Sequence, residues 1–166
     1  MTIRQLTPAD ATAFREIRLL ALQTESNAFG SSYEEEHERT IERFAEWLKR
    51  SPDSTVFGAF DGDNIVGTVG LARDGKAKTR HKAVIWGMYT RAEYRGREVG
   101  RKLMQAAMAA AREMQDIEQV LLCVAAENVP AKSLYASFGF ERFGYERNAM
   151  KVGGRYVDEE HLVVFL

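Results

Sequence analysis

Trp86-Gly87-Met88-Tyr89-Thr90-Arg91-Ala92-Glu93-Tyr94-Arg95-Gly96-Arg97-Glu98-Val99-Gly100-Arg101-Lys102-Leu103-Met104, running on to Met114, decides the fold. Its first part reads as a buried strand and its second as a polar bend. The third part is a basic, glycine-punctuated loop that opens a helix. Val99, Leu103, Ala107, Ala110 and Met114 recur at helical spacing and predict one apolar face. A strand that turns into a helix leaves free backbone N–H groups at the helix start, which attract an anion such as phosphate. Gly96 and Gly100 allow close approach to the backbone, and Arg95, Arg97, Arg101 and Lys102 add positive charge. A basic strand-to-helix loop that binds nothing has the same spacing, so context must decide. The stretch holds neither Gly-Lys-Ser/Thr nor G-x-G-x-x-G, so nucleotide-triphosphate and dinucleotide loops fit badly.

Further along lies Asn128-Val129-Pro130-Ala131-Lys132-Ser133-Leu134-Tyr135-Ala136-Ser137-Phe138-Gly139-Phe140. Asn128 is a good N-cap, Pro130 is tolerated in the first turn, and Gly139 ends the helix. Asn128 and Tyr135 are two helical turns apart and share a face.

Tyr94-Arg95-Gly96-Arg97-Glu98-Val99-Gly100-Arg101 resembles the acetyl-CoA loop of the GNAT superfamily of N-acetyltransferases, Arg/Gln-x-x-Gly-x-Gly/Ala. Arg95 and Gly100 match its ends, whereas Glu98 stands where the family usually has glycine. A carboxylate there either weakens a pyrophosphate site or sits harmlessly at a helix start. Asn128–Phe140 resembles the second signature, Asn-x-x-Ala-x-x-Leu-Tyr-x-x-x-Gly-Phe, at every specified position. The order of elements is similar over nearly the whole chain.

The resemblance implies a single N-acetyltransferase domain over residues 1–166, of class α/β (α+β). It implies a mixed, mostly antiparallel sheet of about seven strands with helices on both faces. Acetyl-CoA would be the cosubstrate. The backbone of Met88, Tyr89 and Thr90 would hold its pantetheine arm, with Asn128 and Tyr135 opposite. The loop Arg95, Gly96, Arg97, Glu98, Val99, Gly100 and Arg101 would hold the pyrophosphate. The reaction implied is direct attack of an amine in a ternary complex, with an oxyanion-binding N–H near Met88 or Tyr89. Tyr135 would donate a proton or hydrogen bond to the departing thiolate, since a thiol titrates near about 8.5 and a tyrosine near about 10.

The acceptor is expected at the loop Phe29–Tyr33, at Glu34 and at the hairpin near Arg155-Tyr156. It would be a primary amine of a small molecule, peptide or protein. No base stands out: Glu34, Glu35, Glu127 and His81 are candidates. His37, His81 and His161 lack paired ligand spacing, so no metal is expected. Two other classes remain open: a non-catalytic acyl-CoA-binding regulatory protein and a generic nucleotide binder.

Composition bounds the rest. A net charge of -1 points to neither nucleic acid nor membrane as a bulk partner. With no apolar leader or bilayer-length stretch, a cytoplasmic location is the default expectation; a homodimer is left open. The single cysteine, Cys123, lies in the apolar run Gln119–Ala125 and reads as an inert thiol in a strand buried on both faces.

In chain order, Ile3–Leu6 reads as a strand, followed by a Thr7-Pro8 helix start and a helix to about Gln23. A second helix begins at the three glutamates 34–36, with Ile41, Phe44 and Leu48 facing inward. Thr55–Phe60 and Ile65–Leu71 form a hairpin, and Arg73–Lys82 reads as a solvated, mobile loop. Val84–Thr90 is the next strand, with Gly87 marking a bulge. Phe140–Val152 and Arg155–Phe165 form the last hairpin.

Overall fold

The fold turns on a strand that loses one neighbour halfway along. The computed structural model describes residues 1–166. Strands β1 (Thr2–Gln5), β2 (Ser54–Asp61), β3 (Asn64–Arg73) and β4 (Lys82–Thr90) form an antiparallel run. β4 then pairs in parallel with β5 (Gln119–Ala125), but only over Lys82–Val84 against Gln119–Leu121. Beyond Val84 the two strands separate. β7 (Arg155–Phe165) pairs antiparallel with β5, and β6 (Glu141–Val152) closes the order β1-β2-β3-β4-β5-β7-β6. A parallel pair needs a crossover. Here the helix over Val99–Glu113 supplies it.

The helices are α1 (Ala11–Thr24), α2 (Tyr33–His37), α3 (Ile41–Trp47), α4 (Val99–Glu113) and α5 (Val129–Ala136). One core lies between α4 and the sheet, where Leu103, Met104, Ala107 and Met108 meet Val66, Leu71, Ile85, Val120 and Leu122. The opposite face of the sheet packs on α1 and α3 through Phe14, Ile17, Phe44, Val56, Phe60 and Ile65. The sheet therefore carries helices on both faces. No helix is long and apolar enough to cross a membrane.

Local chemistry explains the starts of the elements. Asp10 caps Thr7 by accepting from its N–H at 2.8 Å, closing a short 3-10 turn before α1. Ser32 and Glu35 form a reciprocal capping box on α2. Asn128 Oδ1 accepts from Ala131 N–H at 3.2 Å and starts α5.

Four expectations need correction. The helix expected from Glu34 onward is two helices, because Thr40 restarts the chain in extended geometry; Ile41 is 45% exposed while Phe44 and Leu48 are buried. The span 73–82 is not a free loop. Asp53 is clasped by Arg73 at 2.8 Å and by Arg80 at 3.1 Å. The stripe on α4 is wider than expected, adding Met104, Met108 and Ala111 and leaving Ala110 and Met114 half-buried.

Cys123 is exposed, not buried. β5 alternates: Val120, Leu122 and Val124 face α4, and Cys123 faces the other side.

Candidate active site

The separation of β4 from β5 opens a cleft of about 420 Å³. One wall is β4 over Ile85–Thr90, and the other is Leu122–Ala125 with Asn128, Leu134 and Tyr135. The loop Arg95–Arg101 closes one end. Because β5 no longer pairs with β4 here, the β4 edge is free to hydrogen-bond an extended ligand.

Gly87 sits in the wall at φ +62, where β4 bulges against β3. Its carbonyl accepts from Thr68 Oγ1 at 2.9 Å. Behind the bulge, Arg18 Nη1 lies 3.7 Å from where a Cβ on Gly87 would be. The other guanidinium nitrogens of Arg18 donate to Glu36, with Nε and Nη2 each at 2.9 Å. Phe29 lies against the same guanidinium at 5.1 Å. Thus a buried ion pair supports the bulge from beneath. Sequence reading takes the glutamates 34–36 together as the start of a helix, and nothing local marks Glu36 as the buried one.

At the loop, the first backbone bond of α4 runs from Lys102 N–H to the Glu98 carbonyl at 3.0 Å. The N–H groups of Val99, Gly100 and Arg101 therefore have no partner within the helix. Gly96 has φ +74 and open space on its Cβ side, so a ligand can approach it. Gly100 is tighter: a Cβ there would meet Met88 Cε at 3.3 Å and Leu134 Cδ2 at 3.4 Å. Glu98 adopts the left-handed conformation at φ 62, which explains why glycine suits this position. Its carboxylate does not cap the helix but pairs with Arg101 at 2.9 Å. Arg95 pairs with Glu25 across the cleft mouth at 2.5 Å and donates to the Thr90 carbonyl at 3.2 Å. Arg97 turns outward over the Tyr94 ring.

Tyr135 is buried in the cleft wall, and burial pushes its hydroxyl up to about 12. A hydroxyl raised in this way keeps its proton and can donate a hydrogen bond. Asn128 spends its oxygen on the α5 cap and leaves its amide N–H groups for the cleft.

Of the expected residues, the cleft gathers Met88, Tyr89, Thr90, Arg95, Gly96, Glu98, Val99, Gly100, Arg101, Asn128 and Tyr135, with Phe29 at its edge. Tyr89 contributes backbone only, because its ring is buried and its hydroxyl meets Thr24 Oγ1 at 3.1 Å. The structure does not bring Tyr33 or Glu34 into the lining: Tyr33 stacks on His37 at 5.0 Å, and Glu34 is exposed. Glu35, Glu127, His81, Arg155 and Tyr156 also lie outside it. Glu25 and Cys123, which sequence reading did not place here, line the cleft.

This geometry can be set beside known proteins. The family model for the acetyltransferase (GNAT) domain matches residues 3–161. The chain belongs to the GNAT acetyltransferase family.

The N-alpha-acetyltransferase RimI of Mycobacterium tuberculosis is 32% identical over 107 residues, covering 63% of this chain and 63% of that protein. The chain thus spans less than two thirds of that relative's length. A GNAT-family acetyltransferase structure from Streptococcus pneumoniae superposes with TM-score 0.89 at 22% identity, covering 99% of both chains. A ribosomal-protein-alanine N-acetyltransferase from Brucella melitensis superposes with TM-score 0.80 at 22% identity, covering 100% of both. A structure from Salmonella typhimurium with acetyl-CoA bound has TM-score 0.88 at 19% identity, covering 100% of this chain and 94% of that one. At these identities the structural likeness speaks for the fold.

Proposed function

We propose that this chain transfers an acetyl group from acetyl-CoA to a primary amine by direct attack in a ternary complex. The observation that carries the reading is the joint geometry of cleft and loop. The β4 edge is stripped of its partner beyond Val84 and leads straight to unpaired N–H groups at 99–101. An extended arm with a charged diphosphate end fits that arrangement.

The backbone of Met88–Thr90 binds the arm from one side, and the Asn128 amide binds it from the other. The N–H groups at the start of α4, with Arg95 and Arg101, hold the phosphates. Acetyl-CoA supplies the activated acetyl group. On this reading a backbone N–H beside the Gly87 bulge would stabilise charge on the thioester oxygen. Tyr135 keeps its proton at physiological pH and hydrogen-bonds the sulfur as it leaves. Tyr135→Phe is expected to lower kcat with little change in acetyl-CoA affinity. Full retained activity would remove Tyr135 from the reaction.

The names of the mycobacterial and Brucella proteins make an α-amino group at a protein N-terminus the first acceptor to test. The cytoplasm is the compartment that reading requires. Release of free CoA thiol from acetyl-CoA tests the function across N-terminal peptides, amino acids, polyamines and aminoglycosides. Acceptor-dependent release is the expected result. Acetyl-CoA binding without release to any amine would favour a non-catalytic binder instead.

A further inference from the structure

Three side chains on neighbouring strands form a line that ends in the cleft. Cys123 on β5 stands directly opposite His161 on β7, and Cys123 Sγ lies 3.2 Å from His161 Nδ1. His161 Nε2 lies 3.1 Å from Glu146 Oε2 on β6. The register explains the line. β6 bulges between Arg142 and Gly144, placing Gly144 opposite His161. A Cβ on Gly144 would sit 3.4 Å from His161 Cβ, so glycine lets the imidazole lie close to β6. The Phe143 ring meets the imidazole edge-on at 6.1 Å and 61°.

The order of donors follows from chemistry. An ionised carboxylate only accepts, so Nε2 carries the hydrogen and Nδ1 presents its lone pair to the thiol. Cys123 is exposed and belongs to the lining of the cleft. The line is not arranged as a metal cage.

We propose that Cys123, His161 and Glu146 make Cys123 an S-acylation site of this chain, charged from the thioester held in the cleft. This rests on the acetyl-CoA reading above. Cys123 Sγ bonds to the acyl carbonyl carbon while the bond from that carbon to the CoA sulfur breaks. The Cys123 proton passes to His161 Nδ1 and from there to the departing CoA thiolate. One thioester replaces another, and no oxidant or reductant is needed. His161 is the base, and Glu146 is a positioning residue that fixes the tautomer and the orientation of the ring.

Burial and the nearby Glu159 and Glu146 carboxylates raise the Cys123 thiol above its ordinary value. The resting group is therefore a thiol, which needs a base at the moment of attack. The sequence reading of an inert thiol without a basic neighbour misses this, because His161 is 38 residues away in the chain.

The test incubates the protein with acetyl-CoA and no amine, then locates acetyl groups by intact mass and peptide mapping. The expected product is one acetyl group on Cys123 that neutral hydroxylamine removes. Cys123→Ala abolishes this label. His161→Gln slows labelling about 10²-fold, the scale of general-base catalysis. Glu146→Gln slows it less while leaving stabilisation by CoA unchanged, as loss of the acceptor that orients the imidazole requires. A glutamate that only packs would be replaced by the isosteric glutamine with no change in the labelling rate. In parallel, CoA should raise the melting temperature of the wild-type protein. Stabilisation by CoA without label on Cys123, or equal labelling of wild type and His161→Gln, overturns the proposal. No stabilisation by CoA overturns the cofactor reading beneath it.

Discussion

Arg18 and Arg95 each hold a glutamate, and the two pairs differ chiefly in burial. Arg18–Glu36 is nearly sealed, with side chains 8% and 1% exposed, and both bonds are 2.9 Å. Arg95–Glu25 lies at the cleft mouth at 50% and 39% exposure. Removing one member of a sealed pair leaves a charge without water or partner, whereas an exposed pair is worth little and exchanges readily. The first pair therefore serves as scaffold beneath the Gly87 bulge. The second is the pair that, on the proposed reading, an incoming phosphate would replace.

The contrast breaks most visibly on the buried side. Arg18→Ala strands the Glu36 carboxylate and should destabilise the fold by about 3–5 kcal/mol in denaturant titrations. A change below about 1 kcal/mol would mean the pair is not sealed in solution.

Acid titration sharpens the same point. Burial is the largest single influence and would raise Glu36, but the hydrogen bonds and charge of Arg18, with Ser31 and Arg39, together outweigh it and the net shift is downward from 4.5. A lowered folded value means the stabilisation is present above 4.5 and lost as pH falls through the folded value. Stability should therefore decline below pH 4.5, and Arg18→Met/Glu36→Leu should flatten that decline. An unaltered acid limb would assign it to other carboxylates.

On the exposed side, Arg95→Ala should leave the melting temperature nearly unchanged and weaken acetyl-CoA by about tenfold, or about 1.4 kcal/mol, in calorimetric titrations. Equal affinity would take Arg95 out of the phosphate site.

Smaller still is Glu98→Gly. It relieves a left-handed backbone worth about 1–2 kcal/mol, offset by the entropy of glycine at about 0.5–1 kcal/mol. It also frees Arg101. Acetyl-CoA should bind about threefold tighter with little change in stability; weaker binding would show that the carboxylate aids the loop.

The two pairs also show what the sequence can and cannot disclose. The strand–loop–helix unit is legible because its signals are local: strand, turn glycines, and an apolar stripe at helical spacing. Asn128 as a cap and Gly87 as a bulge are legible for the same reason. Which glutamate among 34–36 is buried depends on α1 lying across α2, a contact that no short window contains. The Cys123–His161–Glu146 line likewise depends on the β5-β7-β6 order and on the bulge before Gly144. Ile41 misleads because it stands at the first turn of a separate short helix, outside the buried face that Phe44 defines.

The central claim is that the gap between β4 and β5 is an acyl-CoA site whose phosphates displace Glu25 from Arg95. A crystal structure of the CoA complex tests it most directly. The account predicts the pantetheine arm along Met88–Thr90, the diphosphate on the N–H groups at 99–101, and Arg95 turned from Glu25 to phosphate. CoA bound elsewhere, or held in the cleft with Arg95–Glu25 intact and the loop N–H groups unused, would contradict it.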